Sequence, residues 1–457
     1  MSIKKVIKEL NKKIGKNRVR NSEEFKISYS YDATGKRVLP SIVVFPENEE
    51  DVKNCLEIAF KYKIPVVPRG AGVGYSGGSV PVEGSISIVF TKMNKIMSID
   101  TENMIAEVEP GVITYDLQNA CEKKGLFYPP DPASLKTSTI GGNISENAGG
   151  PRCFKYGVTS NYVLRIEGYL VNGKRVTFGS ASVKDVAGYD IKSVVCGSEG
   201  TLMIITKVIL RLIPIPADNT LIRFNFKSLE DGAIFIDNML KRNIFPSALE
   251  FMDKSSIEAV YDYMKIKKDL KIQAIVLMEL DGERADIDSK IKRLESLQDK
   301  FDIISMEIAD EKEDKEKLWE LRRNISPAIT KIAPKKINED ISVPRGKIPE
   351  TVKYINSLSE ETGIKIVLFG HFGDGNIHTN ILIDPLKSEE VEKSEYILDK
   401  MFTYVIEVGG TISGEHGIGL SKKRFLKYQY SKREIDIFEN VKKAFDPEGL
   451  LNPGKIF

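Results

Sequence analysis

Histidine is scarce in this chain, with three in 457 residues, beside four cysteines and one tryptophan. Cys55, Cys121, Cys153 and Cys196 are scattered and form no C-x-x-C pair, which excludes the usual spacing of a zinc or iron–sulfur site and fits a reducing cytoplasm. Long apolar runs are missing too. IVVF and IVLF are strand-sized, far short of the roughly 20 residues that span a bilayer, so no transmembrane segment is expected. Lys+Arg 67 against Asp+Glu 65 leaves a net charge of +2, too weak a field to favour nucleic acid as a partner. The opening MSIKKVIKELNKKIGKNRVR lacks the apolar core of a signal peptide. Ile3, Val6, Ile7 and Leu10 instead recur at helical spacing among lysines, as in a solvated surface helix, with peripheral attachment at the inner membrane face as the alternative.

Hydrophobic residues at 41% and charged residues at 29% describe a chain that folds throughout, long enough for two or three domains. SIVVFP, EDVKNCLEIAFKYKI and PVVPRG read as strand, helix and strand, so the N-terminal half opens as an α/β unit. Pro214 and Pro216 break the pattern near 215, where a boundary is placed. The expected parts are a helical segment over 1–37, a domain over 38–215, a second over 216–420, and a tail over 421–457 that returns to the first domain.

Gly72-Val73-Gly74-Tyr75-Ser76-Gly77 spells the dinucleotide fingerprint, but that motif needs a helix next and an acid about 20 residues on. GSVPVEGSISIVF follows instead, a turn and a strand, which excludes a Rossmann site. The whole run 68–78 has little side chain and many backbone N–H groups, which suits a nest around a diphosphate as well as a plain surface loop. Two further runs decide between them: PDPASLKTSTIGGNISENAGG over 130–150 and GSEGTLMIIT over 197–206. Together the three runs resemble the FAD-binding domain of the vanillyl-alcohol oxidase and para-cresol methylhydroxylase superfamily, in its glycolate oxidase and D-lactate dehydrogenase branch. The resemblance implies an α+β fold, with a two-part FAD-binding domain and a C-terminal α+β substrate domain built on an antiparallel sheet. It also implies that Gly70, Ala71, Gly72, Val73, Gly74, Ser76 and Gly77 wrap the FAD diphosphate, and that Pro130, Asp131, Ser138, Thr139, Gly142, Ser145, Gly150, Gly200 and Ile205 line the cofactor. Met203 departs from the family, which mostly has glycine there. The N-terminal half holds no histidine, so the FAD is expected to be non-covalent.

His371, His378 and His416 fall within 46 positions. In FGHFGDGNIHT, Gly373-Asp374-Gly375-Asn376 reads as a four-residue hairpin loop that pairs Phe372 with Ile377 and His371 with His378. Directly opposed residues have Cβ atoms roughly 4.5–5.5 Å apart, near enough for two imidazoles to reach one metal. Glu415, beside His416 in TISGEHGIG, is the third candidate ligand, since two histidines and a carboxylate form a known catalytic set with an open position. HFGDGNIH and GEHGIG resemble the C-terminal FAD-linked oxidase domain of the same branch, where the matching residues bind a divalent metal and supply a base; the closing DPEGLLNPGKI is similar as well and implies that Asn452 comes near the flavin.

The expected reaction is oxidation of a small D-2-hydroxy acid, D-lactate or glycolate, with His416 as base and zinc, manganese, iron or cobalt at His371, His378 and Glu415; the similar Trp-x-x-Arg of the family implies Arg322 on the substrate carboxylate, with its neighbour Arg323 as the alternative. D-2-hydroxyglutarate is an alternative substrate, and a metal-dependent hydrolase on the same His, His and Glu set is the reading from another class. The chain has no cluster motif, so electrons from reduced FAD are expected to go to oxygen, a quinone or a separate protein; the resemblance implies an iron–sulfur subunit or an electron-transfer flavoprotein as that partner.

Overall fold

The helical spacing at the start of the chain forms the helix Ile3–Lys13, which buries Val6 and Leu10 and leaves its lysines outside. It is the first element of a computed structural model that describes residues 3–298 and 300–457. Two units emerge: one of Met1–Gly149, Val158–Ile215 and Glu415–Phe457, the other of Gly150–Gly157 and Pro216–Gly414. The chain passes from the first unit to the second at 215–216. The return to the first unit begins at Glu415, before 421, and residues 150–157 belong to the second unit. The cause is charge: Arg152 donates to Glu279 at 3.0 Å, while Lys155 and Tyr156 both bond Asp281, and these carboxylates stand on the strand Ala274–Gly282.

In the first unit, the strand, helix and strand read from the sequence become Ile42–Val44, Glu49–Tyr62 and Val66–Arg69. The Asn48 side chain caps the helix by accepting from the Asp51 N–H, and Glu49, Glu50 and Asp51 fill the positive first turn. Both strands flank Ile86–Val89 in parallel, and Leu56 and Ala59 pack in one core with Ile42, Val66 and Ile86. The tail joins this sheet, with Leu451 bridging Val66 and the Asn452 N–H bonding the Val66 carbonyl at 2.7 Å. A second, antiparallel sheet orders Ile96–Asp100, Ile105–Val108, Ile204–Arg211, Val163–Tyr169 and Arg175–Gly179.

The second unit is one antiparallel sheet of seven strands, in the order Ile303–Ala309, Asp218–Phe226, Ala274–Gly282, Ala248–Asp253, Ile366–His371, Asn376–Ile383 and Lys335–Ser342. Alternating side chains serve two layers of helix. Phe235 of Leu229–Leu240 packs on Phe224 and Phe226, and the other face packs Leu221, Ile275, Leu277 and Val367 under Lys254–Met264, Lys312–Arg323 and Ile325–Ile329. The α+β class with an antiparallel C-terminal sheet is as expected.

Candidate active site

Strand parity decides which side chains in the second unit meet. The hairpin turns one residue earlier than its sequence suggests: the loop is Phe372–Gly375, and His371 stands opposite Asn376 while His378 stands opposite Phe369. The expected direct pairing of His371 with His378 is therefore corrected to a diagonal one. Gly375 at φ +78° closes the turn, and a Cβ there would lie 1.9 Å from the Val343 carbonyl oxygen, so a third strand presses on the loop. The slip leaves both histidines on one face, with Nε2 atoms 3.4 Å apart and rings at 83°. Two nitrogens each about 2.1 Å from one tetrahedral ion stand about 3.4 Å apart, so the pair fits a metal such as zinc.

Glu250 lies directly opposite His371 on the neighbouring strand and is fully buried. One of its oxygens bonds His371 Nδ1; the other accepts from Arg322 Nε at 2.7 Å. Burial works to raise the Glu250 pKa, but its contacts with His371 and Arg322 outweigh it and hold the carboxyl below its ordinary value. Arg322 also lies over the Phe369 ring, 4.4 Å from its centroid. On the other side of His378 its strand partner Asp340 accepts from the Ser413 hydroxyl at 3.2 Å and from the Gly414 N–H at 2.8 Å, and Glu415 follows by one peptide bond.

In the first unit the three glycine-bearing runs converge. The loop after Val66–Arg69 meets the N-terminal end of the helix Ile140–Glu146, which Thr139 caps through Gly142. A Cβ on Gly70 would lie 2.3 Å from Thr139 Oγ1, and Gly72, at φ +73°, backs onto the guanidinium of Arg69. Ser76 donates to Glu146 at 3.2 Å, Ser145 accepts the Glu199 N–H at 2.7 Å, and Asn452 donates to the carbonyls of Gly78 and Glu199 at 2.9 and 2.8 Å. Ser138 shares a hydrogen bond with Thr114, the Pro130 carbonyl accepts from Gln118 with Asp131 next in the chain, and Ile205 lies on the strand Ile204–Arg211. Gly200 holds φ +68° beside Asn452. Gly150 is not among them, since it opens the segment that joins the second unit. Arg69 is buried, its Nε without a hydrogen-bond partner, so the loop carries a positive field as well as backbone donors and fits a diphosphate.

His416 belongs to the first unit, where the Tyr75 ring lies against it at 5.2 Å and a 31° tilt. Beyond it, the Ile418 N–H bonds Glu199 at 2.7 Å. Burial raises the Glu199 pKa to about 7 despite that bond. Glu199 and Glu250 are the site residues that sequence reasoning passed over, while Arg69 and Tyr75 lie in the run 68–78 without having been singled out in it. For Glu250 a signal existed: an acid amid the apolar residues of ALEFM rarely lies buried without a partner.

Known families match both halves. Residues 40–179 match the FAD binding domain, and residues 215–456 match the C-terminal domain of FAD linked oxidases. The chain belongs to the FAD-linked oxidases, and its cofactor is FAD. Within that family it is 40% identical to the glycolate oxidase subunit GlcD of Bacillus subtilis (strain 168), over 100% of this chain and 97% of that one. It is 35% identical to a D-lactate dehydrogenase of Anaerostipes hadrus, over 97% and 96%. Among solved structures, p-cresol methylhydroxylase superposes with a TM-score of 0.81 at 16% identity, covering 99% of this chain and 96% of that one, a likeness of fold. No helix among the described residues is long and apolar enough to cross a membrane.

Proposed function

We propose that this chain oxidises a small D-2-hydroxy acid, D-lactate or glycolate, to the 2-oxo acid. The observation that carries the reading is the His371 and His378 pair, whose Nε2 atoms meet at a metal-ligand spacing beside a positioned arginine. The names of the Bacillus and Anaerostipes relatives support the substrate class. His371, His378 and Glu415 would hold a divalent metal, zinc, manganese, iron or cobalt, which when bound supplies a Lewis acid that acidifies the substrate hydroxyl. FAD, held without a covalent bond, supplies the acceptor for the hydride.

The chain's own residues do the rest. His416 takes the hydroxyl proton on its ring, with the tilted Tyr75 ring lying against it to limit its rotation. Arg322 gives Nε to Glu250, and its two terminal nitrogens grip the substrate carboxylate as a planar fork. The first unit cradles the cofactor through the loop Gly70–Gly77 and Arg69. Electrons then leave for a separate protein, an iron–sulfur subunit or an electron-transfer flavoprotein. The word subunit in the Bacillus relative's name supports such a partner.

The test is the visible spectrum of the purified protein during anaerobic addition of D-lactate and, separately, glycolate. Bleaching of the flavin band by one acid is the expected result, and His416→Asn should slow that bleaching by about 100-fold or more. A colourless protein that FAD does not reconstitute, or a His416→Asn variant bleaching at the parent rate, refutes the reading. For the partner, pull-down from the native host should recover a cluster-bearing or flavin-bearing protein.

A further inference from the structure

We infer that Glu250 is a positioning residue that sets two parts of the proposed site at once: one carboxylate oxygen fixes the proton of His371 on Nδ1, and the other fixes the guanidinium of Arg322. The inference rests on reading His371 and His378 as metal ligands and Arg322 as the substrate anchor.

Five side chains of the second unit form a closed ring. Glu250 bonds His371 Nδ1. His371 Nε2 faces His378 Nε2 at 3.4 Å. The His378 ring lies 5.2 Å from that of Phe369, Arg322 lies 4.4 Å over Phe369, and Arg322 Nε returns to Glu250 at 2.7 Å. A neutral imidazole carries one proton, so donation from Nδ1 to Glu250 leaves Nε2 as the basic nitrogen, the one aimed at His378. Carboxylates hold metal-bound histidines in this way, fixing both tautomer and ring orientation. Here the same carboxylate also orients the arginine, so movement of either partner disturbs the other. Glutamine at 250 offers one acceptor oxygen and one NH2 donor; one of its two neighbours would then meet a donor in place of an acceptor.

The experiment measures zinc binding to chelator-stripped, flavin-loaded protein by competition with a chromophoric chelator. The parent should bind one zinc; Glu250→Gln should bind it about 10–100-fold more weakly, with flavin content unchanged. Arg322→Lys, which alters no proposed ligand, should also weaken zinc. Equal affinity in the parent and both variants overturns the inference, because a merely structural ion pair would leave zinc binding alone. A parent that binds no zinc, manganese, iron or cobalt would instead bring down the metal reading beneath it. Should Glu250→Gln fail to fold, nitrogen-15 spectra of histidine-labelled, metal-free parent decide the point. Only three imidazoles contribute, and His371 should show its proton on Nδ1; a proton on Nε2 overturns the inference.

Discussion

Glu199 in the first unit and Glu250 in the second are both enclosed, yet their acidities move in opposite directions. Burial is the largest influence on each. What differs is the partner: Glu199 receives neutral backbone N–H groups of the 418–419 turn, with Lys422 and Lys455 acting only as more distant charges, whereas Glu250 touches a histidine and an arginine. Glu279 behaves like Glu250, held low by Arg152 with help from Ser247 in spite of its burial. A buried carboxylate therefore stays ionised where a cation touches it, and holds its proton to a higher pH where the partners are dipoles.

Removing a cation should break this pattern most severely. Arg152→Leu leaves Glu279 buried with a hydroxyl for company, and the expected loss is about 3 kcal/mol of unfolding free energy, read from urea or thermal denaturation. A loss below 1 kcal/mol would mean that the dipoles suffice. The first unit should show its contrast in pH. With a folded pKa of about 7 against an ordinary 4.5, Glu199 holds a proton in the folded state that the unfolded chain has released between those values, so stability should fall as pH rises through that window, by about 3 kcal/mol at most. Glu199→Gln should flatten this slope and be at least as stable as the parent at pH 8; a slope unchanged by the substitution would deny Glu199 its proton. Gly70→Ala forces a Cβ against Thr139 and should lower FAD retention on a desalting column, with the second unit unaffected. The smallest effect is expected at Thr139→Val, which removes a neutral helix cap at a cost of about 1 kcal/mol. A cost equal to that of Arg152→Leu would erase the distinction between neutral and charged partners.

The two units also differ in how far they were legible in sequence. Glycine runs announce backbone geometry locally, and Gly72, Gly77 and Gly200 do adopt positive φ, but it was the family resemblance that joined residues 68–78, 130–150 and 197–206 into one expected cradle. The histidine pair survived an error of one residue in the turn because the correction moved the partner by two positions, which preserves the face. The turn itself was illegible, since Val343, some 30 residues away, decides where Gly375 closes it. Glu250 was missed for a similar reason: its partners lie 72 and 121 residues along the chain, and no local pattern links them. The membership of residues 150–157 depends on ion pairs 125 to 127 residues apart.

The interleaved boundaries bear on the order of events at the ribosome. The sheet that contains Val66 is completed by Leu451, so the unit that begins first in the chain is the last to be finished, after the seven-stranded sheet has all its strands. During synthesis the early half must wait, with the Val66 edge uncovered, for a tail that arrives some 385 residues later, so nascent chains should depend on chaperone shelter at that edge more than at any strand of the later sheet.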